Sequence, residues 1–318
     1  MLRPLLSLYS LVPICLSLSL AACGGGGGNG AASRDINGAG GALPSMQEIG
    51  APQATGNTAT DGFNWTNFRR QQLGLNALSR NSLIDKAAQG HSDYQRINGV
   101  ITHVQTRGAS GFTGEEVDDR LIAAGYVLTI PYAYGEVISA SGHTSGFHAA
   151  EDLITAIYHR FVMFQPRFRE AGAGAATAPG SYTYFTLNLA STNGLGSGLG
   201  MGGIVTYPAN GQQNVLTNFF SDYETPDPVA DRNEVGYPVS VHADITSSVT
   251  VQGFTIAPRG GAPLPVKLLS SATDANTTST AAAIVPLNVL AAKTTYDVQF
   301  IGAVDGIAVS RTWSFTTR

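Results

Sequence analysis

Two histidines, His91 and His103, lie twelve residues apart in the stretch LIDKAAQGHSDYQRINGVITH. An imidazole titrates near pH 6.5, so it can take or give a proton at neutral pH, and its neutral form is a good metal ligand. Where the two rings point decides whether they are ordinary packed residues or walls of a site. Asn81 or Ser82 can cap a helix that Asn98-Gly99 ends, and on it Leu83, Ala87, His91 and Tyr94 share one face. His91 is therefore expected to point inward, and His103 to lie just past the helix end in an extended piece. Glu136 follows Gly135 after an aromatic, Pro-containing approach. His143 and His148, in SGHTSGFH, read as solvated loop residues, and His242 as an ordinary strand residue. There is no HExxH helix, no GxSxG elbow and no cysteine nucleophile.

The elements that must hold these residues come from periodicity and punctuation. FNWTNFRRQQLGLNAL predicts a first helix that stops near Leu73, before Gly74. GEEVDDRLIAAGY predicts a third, ended by Gly125, whose acids Glu115, Glu116, Asp118 and Asp119 complement the positive end of the helix dipole. A fourth is expected over roughly 148–159, burying Ala149, Leu153, Ala156 and Ile157. REAGAG reads as a turn, and SYTYFTLNLA as a strand with Phe185, Leu187 and Leu189 on one face. Arg120 and Arg160 are expected to anchor turns through carboxylate or carbonyl bonds. Helices followed by strands give an α+β fold.

Composition bounds the function. The chain of 318 residues carries 18 Lys plus Arg against 22 acids, a net charge of −4, and no window concentrates basic residues. Nucleic acid is excluded as a partner on that ground, since phosphate must be neutralised by a basic patch. Residues 1–22 begin with one basic residue and an apolar run and end in Leu20-Ala21-Ala22 before Cys23. They resemble a bacterial lipoprotein signal, which implies that Cys23 is lipidated and that the protein meets the membrane through this anchor, in the cell envelope or at the surface. Residues 23–60, rich in Gly, Ala, Asn, Ser and Thr, read as a flexible tether. The two cysteines are Cys15 and Cys23, so a processed chain has no thiols to pair.

The run Asn67-x-x-Arg70-x-x-x-Gly74-Leu75, Ala88-x-x-His91-Ser92, Thr102-His103, Asp119-Arg120-Leu121-x-x-Ala124-Gly125-Tyr126, Gly135-Glu136, His159-Arg160 and Ala171-Gly172-Ala173-Gly174 resembles the bacterial branch of the CAP superfamily. That superfamily groups cysteine-rich secretory proteins, antigen 5 and pathogenesis-related 1 proteins. The resemblance covers about residues 61–192 and implies an α-β-α sandwich with a cleft lined by His91, His103, Glu136 and His159. It departs from the family at Val137, at the missing tryptophan before His159-Arg160 and at the strand YTYFTLN, so a His-Glu-Glu-His tetrad is not completed. His103, Glu136 and His159 together would suit Zn²⁺ with an open position for water. They would also suit acid, base and orienter in hydrolysis.

Beyond residue 192 a Gly- and Pro-rich stretch, 193–235, reads as a linker open to proteolysis. From 236 to 318 the short alternating runs VSVHADI, SVTVQGFTI, PVKLL, AAIVPL, TYDVQFIG and TWSFTT predict an all-β sandwich. Its ending resembles bacterial immunoglobulin-like domains, with Tyr296 and Trp313 as core aromatics. The leading functional expectation is a binding module for a small lipid- or sterol-like ligand or a divalent metal. The alternative is a metal-assisted hydrolase directed at the envelope.

Overall fold

The computed structural model describes residues 17–19, 48–180 and 182–318. Strands β1 (Ser17–Ser19), β2 (Ser79–Arg80), β3 (Ala133–Ser141), β4 (Glu170–Thr177) and β5 (Thr183–Ser191) form one sheet in the order β1-β3-β5-β4-β2. Helices α1 (Thr58–Gln72), α2 (Ser82–Asn98), α3 (Val117–Ala124), α4 (Gly146–Thr155) and α5 (Ile157–Met163) cover its two faces. The caps of α2 are those expected. Asn81 accepts from the Leu83 N–H, and Gly99 ends the helix at φ 64°, a conformation that glycine adopts without strain.

Glycines show which helix lies on which face. A Cβ on Gly135 of β3 would stand 2.6 Å from Val162 of α5, whereas Cβ atoms on Gly172 and Gly174 would stand 2.1 and 2.2 Å from the backbone nitrogens of Asp85 and Gln89 in α2. The sheet is thus sandwiched, with α2 and α3 on one side and α1, α4 and α5 on the other. The AGAG run is not a turn but the middle of β4. Its glycines let the α2 backbone lie directly against the strand, which turn-like composition concealed. Phe185, Leu187 and Leu189 alternate on the α5 face as expected, and all three are buried in the large core cluster.

The expected fourth helix is two. Ala156 is extended (φ −69°, ψ 117°), ending α4 and starting α5. The first amides of α5 bond to a carboxylate from far along the chain, with Ile157 N donating to Glu224 Oε2 at 2.8 Å and Tyr158 N to Glu224 Oε1 at 2.7 Å. Residues 48–60, expected as the end of the tether, are packed against the domain. The Arg69 guanidinium pairs with Glu48 at 2.7 Å, and Thr55 N donates to Asp61 at 2.8 Å, so these residues are held against α1. Cys23 and the rest of the expected tether up to residue 47 lie outside the described residues, as does most of the expected signal.

The C-terminal part is all strand. Strands β6 (Val205–Tyr207), β7 (Asn218–Phe220), β8 (Glu234–Gly236), β9 (Val239–His242), β10 (Val249–Pro258), β11 (Val266–Ser270), β12 (Ala281–Pro286), β13 (Thr295–Val304) and β14 (Ile307–Thr316) form sheets ordered β10-β13-β14, β11-β12-β9-β6 and β7-β8. The whole is therefore α+β. The stretch 193–235 is not a bare linker: it carries β6, β7 and β8 and buries Tyr207, Val215, Phe219 and Val235. One apolar cluster continues from Trp65 and Phe164 through Tyr207 to Ile256 and Trp313. Arg160 joins the parts as well, donating to Ile154 O at 2.5 Å and Pro238 O at 2.7 Å and lying over the Tyr207 ring. Glycines and prolines in the sequence masked the widely spaced apolar residues that pack here. Among the described residues, no helix is long and apolar enough to cross a membrane.

Candidate functional site

Strand alternation sends Gly135 and Val137 toward α5, so Glu136 between them faces α2 and α3. There its carboxylate meets three groups. Arg120 NH2 donates to both oxygens, at 2.8 and 2.9 Å; His103 Nδ1 lies 2.8 Å from Oε1; and His91 Nε2 lies 3.7 Å away. Glu136 and His91 are wholly buried, and His103 is the most open of the set at 6% exposure. Arg120 also donates to the carbonyls of His103, at 2.8 Å, and Glu115, at 3.0 Å. The arginine expected to pin a turn therefore pins the 99–116 loop and the Glu136 carboxylate together.

Hydrogen bonds fix the state of His91. Its Nε2 lies 2.7 Å from Thr102 O, which can only accept, so Nε2 carries the proton and Nδ1 accepts from Gln105 Nε2 at 2.9 Å. Burial, reinforced by Arg120, lowers its pKa to about 4, against the opposing pull of Glu136. Burial alone would raise the Glu136 carboxyl, but His91, Arg120 and the His103 hydrogen bond outweigh it and hold it well below the usual range. The Glu136 carboxylate can only accept, so His103 Nδ1 carries the proton of that bond.

His159 is not in this group. It sits on α5, across the sheet from Glu136, with Nδ1 2.9 Å from Glu224 Oε1. Both members of that pair are fully buried, and among the described residues His159 Nε2 has no hydrogen-bond partner. The set His103, Glu136 and His159 inferred for zinc is thus divided between the two sides of the sheet. The residues left beside Glu136 do not suit a metal either, because both its oxygens accept from a guanidinium and both nitrogens of His91 are engaged. Among the described residues, no group of three or more His, Cys, Asp and Glu side chains is placed to hold a metal ion.

Sequence reading missed three residues here. Gln105 orients His91. Glu224 completes the His159 pair from a Pro-rich stretch with no recognisable motif. Asn188 lies opposite Glu136 in the β3–β5 register and is fully buried, with both amide atoms unpartnered among the described residues. The loss of family pattern in YTYFTLN was the only signal that this strand is unusual. His143 and His148 lie edge to face at 5.5 Å beside the start of α4, and His148 belongs to that helix rather than to a loop. His242, expected to be unremarkable, is buried against Phe161 and Phe164 and bonds to Ser240 at 2.9 Å.

Two buried histidines, His91 and His242, and the half-buried His148 give the protein an acid limb. His91 and His148 are lowered to about 4 and His242 to about 3, in each case first by burial. In the unfolded chain they titrate near 6.5, so between that value and their folded values the unfolded state holds more protons. Their contribution to stability is complete above about pH 6.5 and is lost as pH falls through about 4. Asp152, raised to about 7 by burial and by Glu151, acts in the opposite sense over the same range. With three groups against one, thermal melts should show Tm falling between pH 6.5 and 4, with a shallower fall in His242→Gln. A Tm that holds or rises over this range would contradict the neutral state of these rings in the folded protein.

Residues 63–189 match the CAP family, described as the cysteine-rich secretory protein family. Solved structures similar to the chain include an extracellular protein containing a SCP domain from Bacillus anthracis str. Ames, with 21% identity and a TM-score of 0.35. The match covers 43% of this chain and 44% of that one, so this chain spans less than half the length of that relative. An outer surface protein from Borrelia burgdorferi is similar at 12% identity and a TM-score of 0.35, over 41% of this chain and 90% of that one. No curated protein matches the chain at a significant level.

Proposed function

We propose that the chain is a secreted, lipid-anchored envelope protein whose CAP module binds a small amphipathic ligand of lipid or sterol type beside His103. The observation that carries this reading is the state of Glu136, whose two oxygens are both taken by Arg120 and His103. A carboxylate so held does not activate water, so binding is favoured over hydrolysis. Next to His103 in sequence, Ile97, Val100 and Val104 are exposed apolar residues at and beyond the end of α2, suited to the body of such a ligand. The two C-terminal sheets, of three and four strands, agree with an immunoglobulin-like sandwich that displays the module.

Titration of the processed protein with dehydroergosterol and cis-parinaric acid tests the binding reading. Saturable binding of at least one probe is expected, weakened about tenfold in Val104→Asp and in Val100→Asp at unchanged Tm. Failure of both probes to bind, or indifference to both substitutions, would reject it. The anchor is tested separately by mass. Membrane-fraction protein should begin at a diacylated Cys23, and Cys23→Ser should remain unprocessed; an unmodified mature N-terminus on the wild type would sink the anchoring claim.

A further inference from the structure

Strands β6 and β14 are edge strands of the four- and three-stranded C-terminal sheets, and both border one cavity of about 340 Å³. Val205 and Thr206 of β6, Arg311 and Trp313 of β14, and Gln72 and Leu73 at the end of α1 line it. The outer side of β14 is only partly paired. Ser314 N donates to Asn210 Oδ1 at 3.1 Å, Gly211 N to Ser314 O at 2.7 Å and Thr316 N to Gln212 O at 2.8 Å, so Ser314 and Thr316 turn their backbone groups outward. The β13–β14 register runs without a shift through the whole strand, so by the period of two Thr312 and Ser310 also point outward. Among the described residues, neither makes a backbone hydrogen bond on that side.

Side chains follow the same parity. Trp313 lies in the core cluster, and Arg311, two residues earlier, shares its face and lines the cavity. Arg311 has no ion pair among the described residues. An open strand edge offers N–H and C=O groups in the spacing of another strand, and a cation in the adjoining groove selects what that strand carries.

We propose that the cavity between β6 and β14 is a docking site for an extended peptide segment bearing a carboxylate, which adds to the outer edge of β14 as a further strand. Ser310 and Thr312 supply the main-chain hydrogen bonds, and Arg311 meets the carboxylate. An edge open to water on one side and walled by α1 on the other takes a single extended chain, and the cation makes an acidic segment the complementary one.

The probe is the fluorescently labelled peptide Val-Thr-Val-Thr-Val-Glu, followed by anisotropy on the full chain. Saturable binding is expected, weakened by added salt and lost when alternate residues of the peptide are N-methylated. Thr312→Pro removes one outward N–H while leaving the ladder to β13, a position where an edge strand tolerates proline, and should weaken binding about tenfold or more. Arg311→Glu leaves the backbone untouched and should give a loss of similar size, which keeps the test decisive if the proline variant does not fold. Absence of saturable binding, or equal binding by the N-methylated peptide or by Arg311→Glu, would overturn the proposal. Sedimentation showing that the wild type self-associates and that Arg311→Glu does not would also overturn it, by assigning the edge to a second copy of the chain.

Discussion

Replacing Arg120 with alanine is expected to lower stability by about 3–5 kcal/mol, because it leaves a charged carboxylate buried without its cation. In this fold that corresponds to a fall in Tm of roughly 10 °C. Glu136 would keep His103, but the two carbonyls that Arg120 serves, those of His103 and Glu115, would lose their donor, leaving the 99–116 loop tied to β3 through His103 without Arg120. Much of the cost arises from stranding Glu136, so Glu136→Gln added to Arg120→Ala should restore part of the loss. A coupling of about 1–3 kcal/mol is expected from the double-mutant cycle in urea. Additive effects of the two substitutions would mean that the ion pair is not the unit holding this corner together.

The second large effect concerns the C-terminal part. Glu224 accepts from Ile157 N, Tyr158 N and His159 N and pairs with His159 Nδ1, so Glu224→Ala leaves these buried donors without an acceptor. Each stranded buried donor costs about 1–3 kcal/mol, enough in combination to unfold α5. A chain ending at residue 192 would lose this carboxylate and the Pro238 carbonyl that Arg160 uses. It would also uncover Ile157, Tyr158 and Phe161, which pack against Phe219, Val229 and Val235. Such a truncation is expected to bind hydrophobic dyes and to melt without cooperativity. Glu224→Gln, which keeps an acceptor oxygen, should be milder than Glu224→Ala. A cooperative transition for the truncated chain near the wild-type Tm would show that the family-matched segment is self-sufficient.

These two effects also mark the limit of what sequence could show. The caps and face of α2 were legible because they are local: Asn81, Gly99 and the stripe that carries His91 lie within a few turns of one another. The alternation of Phe185, Leu187 and Leu189 was legible for the same reason. The break at Ala156 was not, because nothing nearby interrupts the helical pattern; the carboxylate that stabilises the new start comes from Glu224. The glycines of β4 gave the opposite signal to their role, since turn and close helix–strand contact favour the same residue. In the site, motif order brought His91, His103 and Glu136 together correctly but could not register on which face of the sheet His159 lies. Parity along β3 settles that point: Gly135 faces α5, and its neighbour Glu136 cannot.

Long-range ¹H–¹⁵N spectra of the imidazole rings, recorded at pH 7 with and without equimolar zinc, most directly test the separation of the two histidine–glutamate pairs. The expected result is a neutral His91 protonated on Nε2, a His103 protonated on Nδ1 toward Glu136, and no joint response of His103 and His159 to zinc. Coordination shifts appearing together on His103 and His159, at a nitrogen of each ring, would contradict it.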